Sequence, residues 1–221
     1  MHRASTQVSA PLDLAKNPQV PKMEHLRVDP SSETRDRHQQ IRDTALHLFV
    51  TEGYGNVSLR QLAAPLGLSA GSLYNHLESK QSLLFEMIND HLQDLLKSVE
   101  REVRKSKDVL AQLRSFIRVH IKVHIQHQSL SLLSNLELRS LDAASRAEIK
   151  LLLKRYRSCL SNIISKGMQS GVFRSQHLPT AIQTVLAMLS SVAFWFDETL
   201  PLGSSQLTTQ LTAMVMGALS T

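Results

Sequence analysis

The sequence predicts an all-α protein, on three observations. Apolar residues make up 42% of the 221 residues while aromatics make up only 5%. Apolar positions recur at helical spacing over long segments, with few alternating β-branched runs. Ser stands ahead of several of these segments and Gly or Pro follows them, as at helix starts and stops. The single cysteine, Cys159, excludes an internal disulfide and a cysteine-rich zinc site. The opening MHRASTQVSA lacks the apolar core of a signal peptide. The longest apolar stretch, AIQTVLAMLSSVAFWF, carries Gln, Thr and two Ser and reads as a buried helix rather than a membrane span. A cytoplasmic protein is expected.

Residues 1–33 hold four of the seven prolines and no sustained period, which predicts a disordered arm. Over residues 33–52, Ile41, Ala45, Leu48 and Phe49 share one helical face, and Gly53 stops the helix. Ser58 caps a second helix, residues 59 to about 66, that buries Leu59, Leu62 and Ala63. Pro65 lies inside it; the ring removes a donor and disfavours helical geometry at Ala64, so this helix ends early or kinks. Gly67 supplies the left-handed residue of a tight turn. Ser69 caps a third helix with Leu73 and Leu77 inward, and Ser79 caps a long fourth, residues 80 to about 105. Helix, short turn, helix is the helix-turn-helix plan. Further helices are expected at 108–128, 130–139, 143–170, 180–198 and 205–219, separated by Gly171, Pro179 and Pro201-Leu202-Gly203, about nine in all. The implied organisation is an arm (1–33), a helix-turn-helix head (34–80) and a helical body (81–221).

The net charge of +6 is unevenly placed. Residues 35–90 carry five Lys/Arg against six Asp/Glu, and residues 91–221 carry sixteen against nine. The surplus lies outside the helix-turn-helix segment, so nucleic-acid binding has to rest on local geometry. On the body the surplus reads either as solvated helical surface or as provision for an anionic ligand.

The third helix presents Ala70, Gly71, Ser72, Tyr74, Asn75 and His76, a face poorly made for a core. It suits close approach to a major groove. Ala70, Gly71 and Ser72 let the backbone come near, and Asn75 offers a donor and an acceptor to base edges. Tyr74, His76 and Lys80 stand where they reach phosphates, and Arg60 reaches a phosphate or the groove edge. Ser58 and Ser69, at the two helix starts, complete this surface. The stretch IRDTALHLFVTEGYGNVSLRQLAAPLGLSAGSLYNHLESKQSLLFEMI resembles the N-terminal domain of the TetR family of bacterial one-component repressors. The matching positions are Gly53-Tyr54, Ser58, Leu62-Ala63, Gly67-Leu68-Ser69, Gly71-Ser72-Leu73-Tyr74 and Lys80. Pro65 and Ala70 depart from the family pattern. The resemblance implies a three-helix head on a ligand-binding and dimerising body. It also implies a palindromic operator, double-stranded DNA that is released when a small molecule binds.

In the body, RVHIKVHIQHQ places His120, His124 and His127 at i, i+4 and i+7, on the face shared by Leu113 and Ile117, so all three are expected to point inward. Three readings stay open: core histidines bonded to neighbouring helices, polar lining of a pocket, or a metal site completed by Glu137. No phosphate loop, nucleophile motif or carboxylate pair accompanies them, so no enzyme and no cofactor are expected. A second, looser resemblance joins FIRVHIKVHIQHQ, LELRSL and the Arg155-Tyr156 pair to the bodies of TetR regulators that answer to acyl-CoA thioesters. It implies an apolar tunnel with cations for the phosphates. The candidate ligand contacts are Phe116, His120, His124, Glu137, Arg155, Tyr156, Met188 and Trp195, with Phe194 as a further wall. The alternatives are a metal-sensing repressor using His120, His124 and His127, or a helical binding protein whose head has lost DNA binding through Pro65. In the last helix Leu207, Leu211, Met214, Val215 and Ala218 form an apolar stripe. With 181–196 it packs internally or builds a homodimer seam through 181–196 and 205–219.

Overall fold

A computed structural model describes residues 30–197, 199 and 201–220, and every regular element among them is helical. The helices are α1 (Pro30–Leu48), α2 (Leu59–Ala63), α3 (Ala70–Leu73), α4 (Lys80–Val103), α5 (Val109–Gln126), α6 (Gln128–Leu136), α7 (Ala143–Gln169), α8 (Leu178–Ser190), α9 (Val192–Trp195) and α10 (Ser204–Leu219). Helix α9 continues α8 past a break at Ser191, so the expected helix 180–198 is one interrupted rod and the count of nine holds in that sense. Most of the expected arm lies outside the described residues; positions 30–33 open α1.

The head folds as its caps and glycines direct. Ser58 and Gln61 form a reciprocal capping box at α2, Ser69 accepts from the Ser72 amide at α3, and Ser79 pairs with Ser82 at α4. Pro65 ends α2 at Ala63, and a 3-10 turn (Ala64–Leu66) carries the chain to Gly67 at φ 65°. The proline therefore sits where its missing donor does no harm, in the first residues of a new turn. Helix α1 ends in a π turn (Phe49–Gly53) closed by Gly53 at φ 86°, which seats Phe49 edge-on against Tyr54 at 5.0 Å between ring centroids.

Two cores form, and α4 enters both. Leu83, Leu84, Met87 and Ile88 pack with Ile41, Ala45, Phe49, Leu62 and Leu73 of the head, joined by Leu133 of α6, Ile149 of α7 and Leu141 between them. About two to three turns further on, Leu95, Leu96 and Val99 pack with Leu113, Phe116 and Ile117 of α5 and with α7, α8 and α10. His91 lies between the two sets. Helix α5 is the body's axis, with Leu113, Phe116, Ile117 and Ile121 fully enclosed. Gln128 donates from α6 to the carbonyls of Ala193 (3.0 Å) and Phe196 (2.9 Å), fixing α9. The stripe on α10 splits: Leu207, Leu211, Val215 and Leu219 face the core, whereas Met214 and Ala218 face out.

The chain reverses after α7 at Gly171 (φ 73°), and Phe173 folds back over Gly167. A Cβ on Gly167 would lie 2.0 Å from the Phe173 ring. Gly167→Ala should therefore destabilise the protein by roughly 1–3 kcal/mol. Gly55→Ala, whose new methyl meets nothing within 4 Å, should stay within about 0.5 kcal/mol of wild type; urea titration of the two variants beside wild type checks both.

Candidate nucleic-acid interface and effector cavity

The helix-turn-helix surface is exposed and shallow. Ser58, Arg60, Ser69, Gly71, Tyr74 and Asn75 are solvent-accessible, with Ala70, Ser72 and His76 partly so. Only residues 70–73 of the third helix are α; the amides of Tyr74, Asn75 and His76 turn back to carbonyls three residues earlier. This tightened turn carries Tyr74 outward at 57% exposure while Leu73 and Leu77 anchor the other side. The hydroxyls of Ser58 and Ser69 are held by Gln61 and Ser72, so both serve the helix starts.

Lys80 is partly buried and engaged within the head. Its ammonium donates to the carbonyls of Tyr54 (2.7 Å) and Val57 (2.6 Å) and stands 4.2 Å from the centroid of the Tyr54 ring. Burial lowers its pKa, opposed by the nearby Glu137 carboxylate. These bonds tie the start of α4 to the loop ahead of α2, so Lys80 orients the head from within.

The body contains a chain of imidazoles. His120 is enclosed, its Nδ1 bonded to the Tyr156 hydroxyl and its Nε2 3.3 Å from Ser190 Oγ. His124 stacks on it at 4.0 Å, and its Nδ1 is bonded to the His120 carbonyl at 3.0 Å. His91 of α4 is buried as well, with Nε2 3.2 Å from Ser131 Oγ of α6. His127 departs from the inward expectation: the last turn of α5 opens at this residue (φ −124°, ψ 47°) and leaves it exposed, 6.2 Å from the His91 ring. Burial, aided by His124 and His127, pushes His91 down to about 4. Burial likewise brings His124 to about 4 against its bond to the His120 carbonyl, and drives His120 well below its ordinary value near 6.5. All three are neutral at physiological pH.

Beside this chain lies a cavity of about 500 Å³ between α4 and α5. His91, Leu95 and Val119 form its buried floor, with Val123 and Leu130 beside them. The exposed Arg101, Arg118 and Lys122 stand on its rim, with Arg42 and Asp90 at the end nearest the head. Of the expected ligand contacts, Phe116, His120, His124 and Tyr156 come together but pack against one another behind the cavity. The others do not join them. Arg155 points to solvent beside Glu100 at 3.5 Å. Glu137 accepts from Ser140 (2.6 Å) near Lys80 and the head. Met188 is half-buried, and Trp195 and Phe194 are exposed at 46% and 55%. Spacing within α5 could not show which neighbours its face would meet. His91 was legible in principle, since it continues the inward row Leu84, Met87, Ile88, Leu95. Among the described residues no group of three or more His, Cys, Asp or Glu side chains is disposed to hold a metal ion, which removes the structural support for the metal-site reading.

The neutral histidines set a pH dependence. Unfolding returns each imidazole to its ordinary value near 6.5. The unfolded chain then binds more protons below pH 6.5, and stability falls on acidification until the folded-state values near 4 are reached. Three such groups give a slope of up to about 4 kcal/mol per pH unit in that window. Thermal unfolding from pH 7 to about pH 5 should show this loss, and the variant His91→Gln, His124→Gln should flatten it.

A family model described as bacterial regulatory proteins, tetR family, matches residues 41–87, and one described as tetracyclin repressor-like, C-terminal domain, matches residues 106–219. The chain is 24% identical over 137 residues to the fatty acid metabolism regulator protein of Bacillus subtilis (strain 168), covering 62% of this chain and 71% of the relative. It is 21% identical over 194 residues to the HTH-type transcriptional repressor KstR2 of Mycolicibacterium smegmatis, covering 87% and 95%. Its fold matches a bacterial regulatory protein in the tetR family from Rhodococcus RHA1 with a TM-score of 0.78 at 21% identity, covering 83% and 97%. It matches AibR, solved in complex with isovaleryl coenzyme A and operator DNA, with a TM-score of 0.73 at 24% identity, covering 81% and 98%. With an exposed helix-turn-helix at one end and a matched regulatory body at the other, the chain belongs to the TetR family: it is a DNA-binding transcriptional regulator and not an enzyme.

Proposed function

We propose that the protein is a cytoplasmic, homodimeric repressor that binds a palindromic operator and leaves it when an acyl-CoA thioester occupies the cavity between α4 and α5. The observation that carries the effector class is the cavity's composition: a buried apolar and imidazole floor under a rim bearing Arg101, Arg118 and Lys122, with Asp94 also lining it and Glu102 bridging the two guanidiniums at 3.3 and 3.7 Å, so that an incoming phosphate takes the place of the Glu102 carboxylate. Its volume of about 500 Å³ lies in the range of small-molecule sites, about 300–1,000 Å³. The rim guanidiniums suit phosphate oxygens, and Leu95, Val119 and Leu130 suit the acyl group. The Bacillus subtilis regulator of fatty acid metabolism and the AibR complex with isovaleryl coenzyme A support the same class.

On the DNA side, Asn75 reads a base edge, Tyr74 and Arg60 hold phosphates, and Ala70, Gly71 and Ser72 let the backbone approach. The seam between protomers runs along the outward faces of α8, α9 and α10. There Ala187, Phe194, Trp195, Ala213, Met214 and Gly217 stand exposed, apolar or small side chains that a second copy would cover. Two heads spaced about 34 Å apart then address successive major grooves. The effector acts only through preference for the DNA-incompetent state, and a coupling of roughly 1–3 kcal/mol changes operator affinity about 5–150-fold.

The test is binding of the protein to DNA flanking its own gene at fixed salt, with palmitoyl-CoA, isovaleryl-CoA, free coenzyme A and palmitate added in turn. Wild type should bind, and a thioester should release it while free coenzyme A and palmitate do not. Asn75→Ala should weaken operator binding by about 1–3 kcal/mol and keep thioester binding. Operator binding unmoved by both thioesters would overturn the effector class. Loss of both activities in a folded Asn75→Ala protein would overturn the separation of the two sites.

A further inference from the structure

Among the described residues Arg42 is the one from α1 that lines the cavity, and it is also tied to α4. Its guanidinium bonds the Glu86 carboxylate and, at 2.8 Å, Asp90 Oδ2. His38, one turn earlier on α1, lies 3.4 Å from the other Glu86 oxygen. The Arg42 side chain is only 17% exposed, against 39% and 49% for its two partners. The cation is therefore held under the surface while the carboxylates keep water on one side. Asp90 lines the same end of the cavity. One side chain thus meets the effector space, the long helix of the body and the first helix of the head.

We propose that Arg42 is an effector-contact residue through which occupancy of the cavity is read by the head. This rests on the reading of the cavity as the effector site. An anionic group of a hydrophobic effector, a phosphate or a carboxylate, competes with Asp90 for the guanidinium, whose planar fork accepts either oxyanion in two parallel bonds. Drawing Arg42 toward the cavity detaches α1 from α4 at Asp90 and Glu86. The head core that holds Ile41 and Ala45 of α1 together with Leu84 and Ile88 of α4 then acts as a pivot without its polar lock. The occupied state loses the tie and the empty state keeps it, which gives the effector the differential interaction a conformational change requires.

The experiment cuts the tie from both sides. Arg42→Gln removes a positive charge from the protein, and the pair Glu86→Gln, Asp90→Asn removes two negative charges. Net charge alone would weaken DNA binding in the first and strengthen it in the second. A lock predicts that both weaken operator binding without effector, by about 5-fold or more, and that both shrink the release caused by palmitoyl-CoA. Opposite shifts in operator affinity, or a release factor unchanged from wild type, would overturn the proposal. Should the double variant fail to fold, Asp90→Asn alone cuts the contact beside the cavity and is read in the same way. If neither palmitoyl-CoA nor isovaleryl-CoA releases wild type, the effector class is wrong, while the effector-free operator affinities still decide whether Arg42 locks the head.

Discussion

Helix α4 is packed into two cores, and most of the structure depends on that double membership. Its first two turns complete the head through Leu83, Leu84, Met87 and Ile88, and its later turns complete the body through Leu95, Leu96 and Val99. Close-packed interiors transmit displacement because they tolerate little deformation. A helix shared by two such interiors cannot shift in one without disturbing the other. Lys80 pins its first residue to the carbonyls of Tyr54 and Val57, so motion of α4 becomes motion of the loop that leads into α2 and α3.

Between the two cores the packing is polar. His91, His120 and His124 occupy positions where leucine would fit the pattern, and each is satisfied by a hydroxyl or a carbonyl. Buried polar groups are stable only with such partners, and a half-satisfied network is costly. Burial keeps these rings neutral, so the network holds no charge that would have to be desolvated. The cavity begins where this polar layer meets the α4–α5 edge, at His91.

The head was legible almost residue by residue because it is built from local signals: Ser58, Ser69 and Ser79 as caps, Gly53 and Gly67 as left-handed turns, and Pro65 as a stop. Each acts within a few residues of itself, and the structure has each in that role. The body's helices were legible for the same reason. Its site was not. The periodicity of α5 put His120 and His124 inward correctly, but it carried His127 with them because it could not anticipate the backbone opening at the helix end. Arg155, Glu137 and Trp195 were grouped by resemblance rather than by geometry, and packing sends them to three different surfaces. The cavity joins residues of α1, α4, α5 and α6, and no pattern within a single helix can announce a space between four. Lys80 shows the reverse case, a cation that looked free in sequence and is engaged by two carbonyls contributed from more than twenty residues away.

In the proposed mechanism α4 carries occupancy of the cavity into the spacing of the two heads. The direct measurement is the distance between spin labels on the two protomers of the proposed dimer. Labels attached at Asn56→Cys in a Cys159→Ser background would be read by pulsed electron resonance with and without palmitoyl-CoA. For the empty protein the expected head-to-head separation is near that of successive major grooves, about 34 Å. Binding of the thioester should shift it by roughly 2 Å or more. A distance that stays fixed while the thioester binds and the operator is released would contradict the mechanism.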